Sequence, residues 1–219
     1  EIAQCLVGSE MCIRDRPKDI GTDSDRALLL DFQATLEIKP EKAIKLEKDA
    51  LAQIENITAD NARLVSNLHA NLGGLYRMNG HPDLAREHME KSISLLDQFN
   101  LLHINDSIPQ IANYAMFLTE QQEPERGISE LQKLSGIIKE YHSDDCLDYA
   151  KVQETLGTIY LMTANLPQAK THFKRAFKIY EKIWADEPEM IEAKYQEIQE
   201  LYPQIGFCIG KNLSGLLTK

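Results

Sequence analysis

The sequence has few of the residues that mark the common catalytic and disulfide-rich classes. It contains four cysteines and one tryptophan among 219 residues, and aromatic residues make up only 7% of the chain. The cysteines lack the regular spacing of a disulfide framework, which predicts a reducing, cytoplasmic setting. No apolar run approaches the roughly 20 residues that span a bilayer, so we expect no membrane segment.

Positive charge is also in short supply. The chain has 24 Lys and Arg residues against 34 Asp and Glu residues, which gives a formal net charge of −10. The basic residues form no cluster or stripe, and binding to a phosphate backbone depends on neutralising its charge. We therefore expect no nucleic-acid partner.

Catalytic and metal-binding patterns are missing as well. No nucleophile stands with a base, no phosphate-binding loop is present, and no histidine spacing is typical of zinc, so we predict neither enzyme activity nor a cofactor nor a metal. The segment 142–146 contains metal-ligand types, His-Ser-Asp-Asp-Cys. Acidic groups at a helix start also meet the positive end of the helix dipole, and we favour that interpretation, with Ser143 and Asp144 opening a helix.

The first sixteen residues resemble a laboratory sequence. Residues 5–16 read, one by one, as an in-frame translation of a transposase adapter used in preparing sequencing libraries. We therefore interpret residues 1–16 as a non-native scar, which removes Cys5 and Cys12 from consideration. On this interpretation the start of the natural protein precedes Pro17 and is missing.

What the sequence does contain is a repeat of 42 residues. Pro40, Pro82 and Pro124 stand 42 residues apart, and the copies continue to Pro167 with a drift of one place. Apolar columns share this register, namely Ile54, Leu96, Ile138 and Tyr180, and then Ile57, Phe99, Tyr141 and Ile183. Regular self-similarity of this kind is typical of a solenoid, which offers a long surface suited to binding an extended partner.

Each copy has the pattern of two helices joined by a tight turn. Between residues 58 and 78 the apolar residues recur at spacings of three and four, Asn79-Gly80-His81 breaks the pattern, and Pro82 is a good first residue for the next helix. Within a repeat domain over residues 17–202 we expect units at about 22–57, 58–99, 105–141 and 144–184 and a terminal helix over 188–202. Residues 203–219 then form a tail, in which the apolar run 205–210 caps the last helix or docks another subunit.

The residues that carry the pattern resemble the tetratricopeptide repeat family. The family signature of a small residue and an aromatic residue on one helix, followed by small and large residues on the next, matches two copies: Leu72-Gly73-x-x-Tyr76 with Ala85 and Met89, and Leu156-Gly157-x-x-Tyr160 with Ala169, Phe173 and Ala176. The first copy departs from it, with Asp31 at the small-residue place and Glu47 at the aromatic place.

The repeat length resembles one branch of that family. The usual repeat has about 34 residues, so this chain has about one extra turn in each helix, as in repeats of the kinesin light chain type. The resemblance implies an all-α, right-handed superhelical solenoid of antiparallel helix pairs. It also implies that the first helix of each pair lines an inner groove that binds peptides or protein segments.

The resemblance places eight residues in this groove: Asn67, Asn71, Arg77, Asn113, Met116, Lys151, Thr155 and Thr158. Asn71 and Asn113 occupy the same place in successive repeats, and a side-chain amide can pair with the backbone of an extended peptide whatever its side chains are. Local hydrogen bonding or simple solvation would explain them equally well. Leu28 and Phe32 stand where a clamp for C-terminal carboxylates needs basic residues, which argues against such a clamp.

Two functions follow from this interpretation. The first is a scaffold for protein interactions that holds an extended peptide or protein segment in its groove. The second is the sensor or regulatory arm of a larger cytoplasmic regulator, an NTPase, a kinase or a transcription factor, whose effector domain lay upstream of the scar. The sequence leaves the partner and the oligomeric state open.

Overall fold

The fold, given by a computed structural model, is described for residues 21–201, and every regular element in that range is an α-helix. The helices are α1 (Asp23–Leu36), α2 (Pro40–Leu51), α3 (Ala62–Met78), α4 (Pro82–Gln98), α5 (Ser107–Glu120), α6 (Pro124–Tyr141), α7 (Leu147–Met162), α8 (Leu166–Ile183) and α9 (Pro188–Leu201). The adapter-like residues 1–16 and the predicted cap over 203–219 lie outside the described residues. Within them, the prediction of an all-α helical repeat fold is confirmed.

The chain divides into two compact units between Leu101 and Leu102. The first contains α1 to α4 and the second contains α5 to α9. Within each unit consecutive helices pack against one another, and the first helices of neighbouring pairs, α1 with α3 and α5 with α7, are also in contact. Each unit has its own buried core: Ala27, Ala50 and Leu68 belong to the first, and Phe117, Leu131, Leu156 and Phe173 to the second.

Prolines mark the starts of the second helices, as the sequence predicts. Pro40, Pro82 and Pro124 are the first residues of α2, α4 and α6, and Pro167 is the second residue of α8. Because the first N–H groups of a helix have no partner inside the helix, proline costs nothing there, and its fixed φ suits the helix. The repeating prolines therefore set where each second helix begins.

The turns inside the later helix pairs share one backbone geometry. Gly80, Gln122 and Ala164 are 42 residues apart and all have a positive φ, at 75°, 65° and 59°. In each turn the next residue donates its N–H to the carbonyl five positions back, at 2.7–2.9 Å. This is the Schellman arrangement that ends many helices, and it normally favours glycine at the left-handed position.

The start of α7 differs from the sequence prediction. We expected Ser143 and Asp144 to open this helix, but it begins at Leu147, and Cys146 is the N-cap, its Sγ accepting the N–H of Tyr149 at 3.4 Å. Ser143 Oγ accepts the N–H of Asp145 at 3.2 Å instead. Asp145 in turn pairs with Lys182 at the end of α8. The polar residues before α7 therefore close a local turn and leave the capping to the thiol.

Small residues let the two helices of a pair approach closely. A Cβ added at Gly73 would lie 2.5 Å from Cγ of Met89, and one at Gly157 would lie 2.8 Å from the ring of Phe173. At Gly127 it would lie 2.6 Å from the carbonyl oxygen of Ala115, which is backbone and cannot rotate away. Any side chain at these places therefore has to push the paired helices apart.

We expect Gly127→Ala to destabilise the second unit by about 1–3 kcal/mol, because the new methyl group overlaps the backbone of α5. Gly136→Ala is the matched control on the same helix, since its Cβ would meet no atom within 4 Å. That control should gain about 0.5–1 kcal/mol from the better helix propensity of alanine. Urea unfolding of both variants measures the difference, and equal effects at the two positions would contradict the close approach of α5 and α6.

Candidate peptide-binding surface

In the second unit, the predicted groove residues lie on the neighbouring first helices α5 and α7. Asn113 of α5 is exposed, and within residues 21–201 its side chain has no hydrogen-bond partner. Met116, one turn further along α5, is half-buried. This part of α5 therefore presents one uncommitted amide and one flexible apolar side chain to solvent.

The α7 residues of this surface present fewer donors than the sequence suggests. Thr155 Oγ1 donates to the carbonyl of Lys151 at 3.0 Å, and Thr158 Oγ1 donates to the carbonyl of Glu154 at 3.1 Å. Lys151 lies 3.7 Å from a carboxylate oxygen of Asp148 and is about half exposed. Because the threonine hydroxyls donate their hydrogen bonds to carbonyls of their own helix, they can only accept a hydrogen bond from a ligand.

In the first unit, α3 carries the other three predicted residues. Asn67 and Arg77 are half-buried, and Asn71 is exposed. The amide nitrogen of Asn71 donates to Oδ1 of Asp31 at 2.8 Å and to Oε1 of Glu47 at 3.2 Å. Both amide hydrogens are thus engaged within the unit, so the Asn71 amide serves a ligand chiefly through its oxygen. Asn71 and Asn113 are in this respect different, although they occupy equivalent places in the repeat.

Asp31, Glu47 and Asn71 form a polar cluster where the other pairs of the chain have a small residue against a large apolar one. Glu47 is 2% exposed, and its Oε2 has no hydrogen-bond partner within the described part of the chain. Burial, helped by the negative charge of Asp31, raises the pKa of Glu47 to about 8. At neutral pH the Glu47 side chain is therefore largely protonated, and one proton is held between two carboxyl groups.

Two histidines on second helices take part in a contact that recurs two repeats apart. Nδ1 of His88 lies 2.8 Å from Nδ1 of His69, and Nδ1 of His172 lies 2.9 Å from the side-chain oxygen of Gln153. The ring of Tyr76 stacks on His88, and that of Tyr160 stacks on His172, with centroids 5.4 and 5.2 Å apart. Burial lowers the pKa of His69 to about 4 and also lowers those of His88 and His172. These histidines therefore link helices within a pair as neutral side chains.

An ion pair holds the terminal helix α9 on the second unit. Lys194 Nζ lies 2.9 Å from Oε1 of Glu154, and the hydroxyl of Tyr180 donates to the other oxygen of Glu154 at 2.6 Å. Tyr195 stacks on Phe177 with centroids 4.0 Å apart. Burial acts to lower the pKa of Lys194, but its bonds to Glu154 and Glu197 outweigh burial and raise it. Glu154, which shares a helix with the predicted groove residues, is thus committed to packing.

A cavity of about 410 Å³ lies elsewhere in the second unit. It is lined by Pro124, Glu125, Ile128, Ser129 and Gln132 of α6 and by Tyr160, Thr163 and Asn165 at the end of α7. None of the eight predicted groove residues contributes to it. The cavity therefore belongs to a second-helix surface that the sequence did not single out.

Metal-ligand clusters and membrane-spanning helices are both absent from residues 21–201. No three His, Cys, Asp or Glu side chains are grouped so as to hold a metal ion. No helix in this range has the length and apolarity that crossing a membrane requires.

Residues 107–182, which cover α5 to α8, match the tetratricopeptide repeat family. The match covers 76 of the 219 residues. Proteins built from these repeats are generally scaffolds for protein interactions, without enzyme activity. No curated protein sequence matches the chain.

Solved structures of repeat proteins have the same fold. The kinesin light chain tetratricopeptide-like repeat protein of Podosopora anserina superposes with a TM-score of 0.64 at 13% identity, over 78% of this chain and 83% of that one. BtubC of P. vanneervenii superposes at 0.61 with 20% identity over 72% of this chain. MamA superposes at 0.58 with 15% identity, over 83% of this chain and 92% of that one. The alignment spans only 62% of BtubC.

The buried carboxyl group predicts a pH-dependent stability. Because the folded protein keeps a proton on Glu47 up to about pH 8 and the unfolded chain loses it near 4.5, the free energy of unfolding should fall as the pH rises through this window. Glu47→Gln removes the ionisable group, so at pH 9 the variant should be more stable than the wild type by about 1–3 kcal/mol. At pH 5 the two should be nearly equal. Urea unfolding at both values measures this, with Glu41→Gln, an exposed glutamate of α2, as the control; equal gains at both pH values would refute it.

The histidine pair predicts the opposite response at acid pH. The unfolded chain protonates His69 near pH 6.5, whereas the folded protein resists until about 4, so the free energy of unfolding should fall as the pH drops between these values. His69→Gln introduces glutamine, the residue that faces His172 at the equivalent position, Gln153. The variant should lose about 1–3 kcal/mol less free energy of unfolding than the wild type as the pH falls. Thermal unfolding from pH 7 to pH 4 follows it. The exposed His81 provides the control variant His81→Gln, and an unchanged acid response in His69→Gln would refute the assignment.

Proposed function

We propose that this protein binds an extended peptide or protein segment along the exposed surface of its first helices. In the second unit that surface comprises α5 and α7, and in the first unit it comprises α1 and α3. Tetratricopeptide repeats are generally interaction scaffolds, and the predicted residues supply the polar groups that an extended backbone needs.

The observation that carries the proposal is the state of Asn113. Its amide is exposed and uncommitted within residues 21–201, whereas most polar side chains around it are already bonded. A primary amide offers a donor and an acceptor at once, so it can form two hydrogen bonds with the N–H and C=O groups of one residue of a bound extended strand. Nothing in the packing of α5 calls for an asparagine at this place.

The neighbouring side chains suggest a ligand that is read mostly through its backbone. Thr155 and Thr158 offer hydroxyl acceptors, Met116 offers an adaptable apolar contact, and Lys151 adds one positive charge at the edge. This composition places few demands on the ligand's side chains. We therefore expect the second unit to contribute affinity more than selectivity.

Selection of binders from a random peptide display library on the full chain, followed by mutation, tests this proposal. Asn113→Ala should weaken the selected peptides about fivefold to a hundredfold, because it removes two hydrogen bonds worth roughly 0.5–1.5 kcal/mol each. Asn105→Ala, at an exposed asparagine just before α5, is the matched control and should leave affinity unchanged. Fluorescence anisotropy gives the affinities and circular dichroism checks helicity. Failure to enrich any peptide, or equal affinity of Asn113→Ala and wild type, would overturn the proposal.

A further inference from the structure

The first helix of the first unit exposes an apolar stripe. Leu28, Phe32 and Leu36 are 50%, 50% and 63% exposed, although large apolar side chains are normally buried. Spaced four residues apart, they lie on one face of α1. The equivalent places on α3, which contacts α1, are Ala70, Gly74 and Met78. These places on α1 and α3 therefore carry apolar side chains or none, beside the polar Asn67, Asn71 and Arg77 of α3.

The second unit does not share this character. At the equivalent places α5 has Ala112, Met116 and Glu120, and α7 has Glu154, Thr158 and Met162. Glu120, Glu154 and Thr158 thus replace Leu36, Leu28 and Phe32, and Glu154 is itself paired with Lys194 of α9. Because the helices share one repeat register, the difference is a property of the side chains and gives the first unit its own ligand preference.

Asp31, Glu47 and Asn71 lie beside this stripe. Asp31 directly precedes Phe32 on α1 and is half-buried, and its carboxylate binds Asn71 of α3. The Glu47 side chain is only 2% exposed, and its Oε2 has no hydrogen-bond partner within the described residues. Because Glu47 is closed to solvent and holds a proton at neutral pH, the carboxylate of Asp31 is the member of the cluster that can accept from a ligand.

A gap also opens above the stripe on the α3 side. A Cβ placed on Gly74 would meet no atom within 4 Å, so the helix surface there is bare. Four residues along α1 span about 6 Å, close to the roughly 6.7 Å between alternate side chains of an extended strand. Alternate side chains of a bound peptide can therefore follow Leu28, Phe32 and Leu36 one by one.

We propose that the first unit selects peptide segments in which bulky apolar side chains at alternate positions accompany a lysine or arginine. The apolar side chains pack on the α1 stripe, and the cationic group donates to the carboxylate of Asp31, which is only half-buried. The chain's net charge of −10 favours such a basic partner. This selectivity rests on the proposed function and adds a ligand class to it.

The display selection tests the ligand class directly. Among peptides enriched on the full chain, we expect alternating Leu, Ile, Phe or Met together with at least one Lys or Arg. For the best lysine-containing peptide, replacing the lysine with norleucine should weaken binding to the wild type about tenfold. Asp31→Asn should bring the two peptides to within about twofold of each other, whereas Asp83→Asn, an exposed aspartate of α4, should preserve the difference.

The apolar stripe has its own variants. Phe32→Ser and, separately, Leu36→Ser should each weaken the selected peptides at least fivefold, while Met190→Ser, at a comparably exposed methionine of α9, should not. Circular dichroism confirms that each variant is folded. Having two stripe variants keeps the test decisive if one of them is unstable.

The outcomes separate this inference from the proposed function. Peptides that are enriched without the apolar and basic pattern, or that bind Phe32→Ser and Leu36→Ser normally, overturn the selectivity and leave peptide binding intact. No enrichment at all overturns both. Analytical ultracentrifugation tests whether a second copy of the chain occupies the stripe instead of a peptide. If the wild type is a dimer that Phe32→Ser converts to a monomer, the stripe is a dimer contact and the proposed selectivity is wrong.

Discussion

The approach of the two helices within each pair is the constraint on which the repeats depend. Gly73, Gly127 and Gly157 leave no room for a Cβ because Met89, the backbone of Ala115 and the ring of Phe173 occupy the space. The large residue that fills one helix thus requires the absence of a side chain on the other. Since each pair can bury its apolar face only through this contact, the turns, the proline starts and the exposed first-helix surface all follow from it.

The first pair satisfies the same constraint by different chemistry. Asp31 and Glu47 take the places of the small and the large residue, and hydrogen bonds to Asn71 replace part of the apolar contact. A buried carboxyl group is a poor substitute for a methionine or phenylalanine in stability, because it must hold its proton or lose solvation. Asp31 is only half-buried, and it is the member of this cluster that we propose meets a ligand.

The sequence predicted the helices and turns well because apolar spacing and prolines act locally. It also predicted the tight places at Gly73 and Gly157. It did not predict that Asn71 would be engaged, since Asp31 and Glu47 are distant in the chain and come close only when three helices pack. The contact of His69 with His88 was missed for the same reason, although a signal existed: Gln153 and His172 have the same separation of 19 residues, and comparing positions two repeats apart would have revealed it.

The start of α7 shows another limit of local signals. Several residues near Ser143 could cap a helix; Cys146 does so, while Asp145 pairs with Lys182 from the following helix. Whether the eight predicted residues bind a ligand is likewise not decided by spacing alone, and it stays a proposal. Their exposure and bonding separate them into committed side chains, such as Asn71, and uncommitted ones, such as Asn113.

The shared geometry of the turns means that the second unit could be stabilised by substitution at two of them. Gly80 adopts its left-handed conformation at no steric cost, but Gln122 and Ala164 adopt the same conformation with a Cβ, which costs an L-residue roughly 1 kcal/mol or more. The backbone hydrogen bonds that close these turns do not involve the side chains. For protein engineering, the two turns are therefore places where exchange for glycine would relieve strain in the second unit without touching either its core or its proposed binding surface.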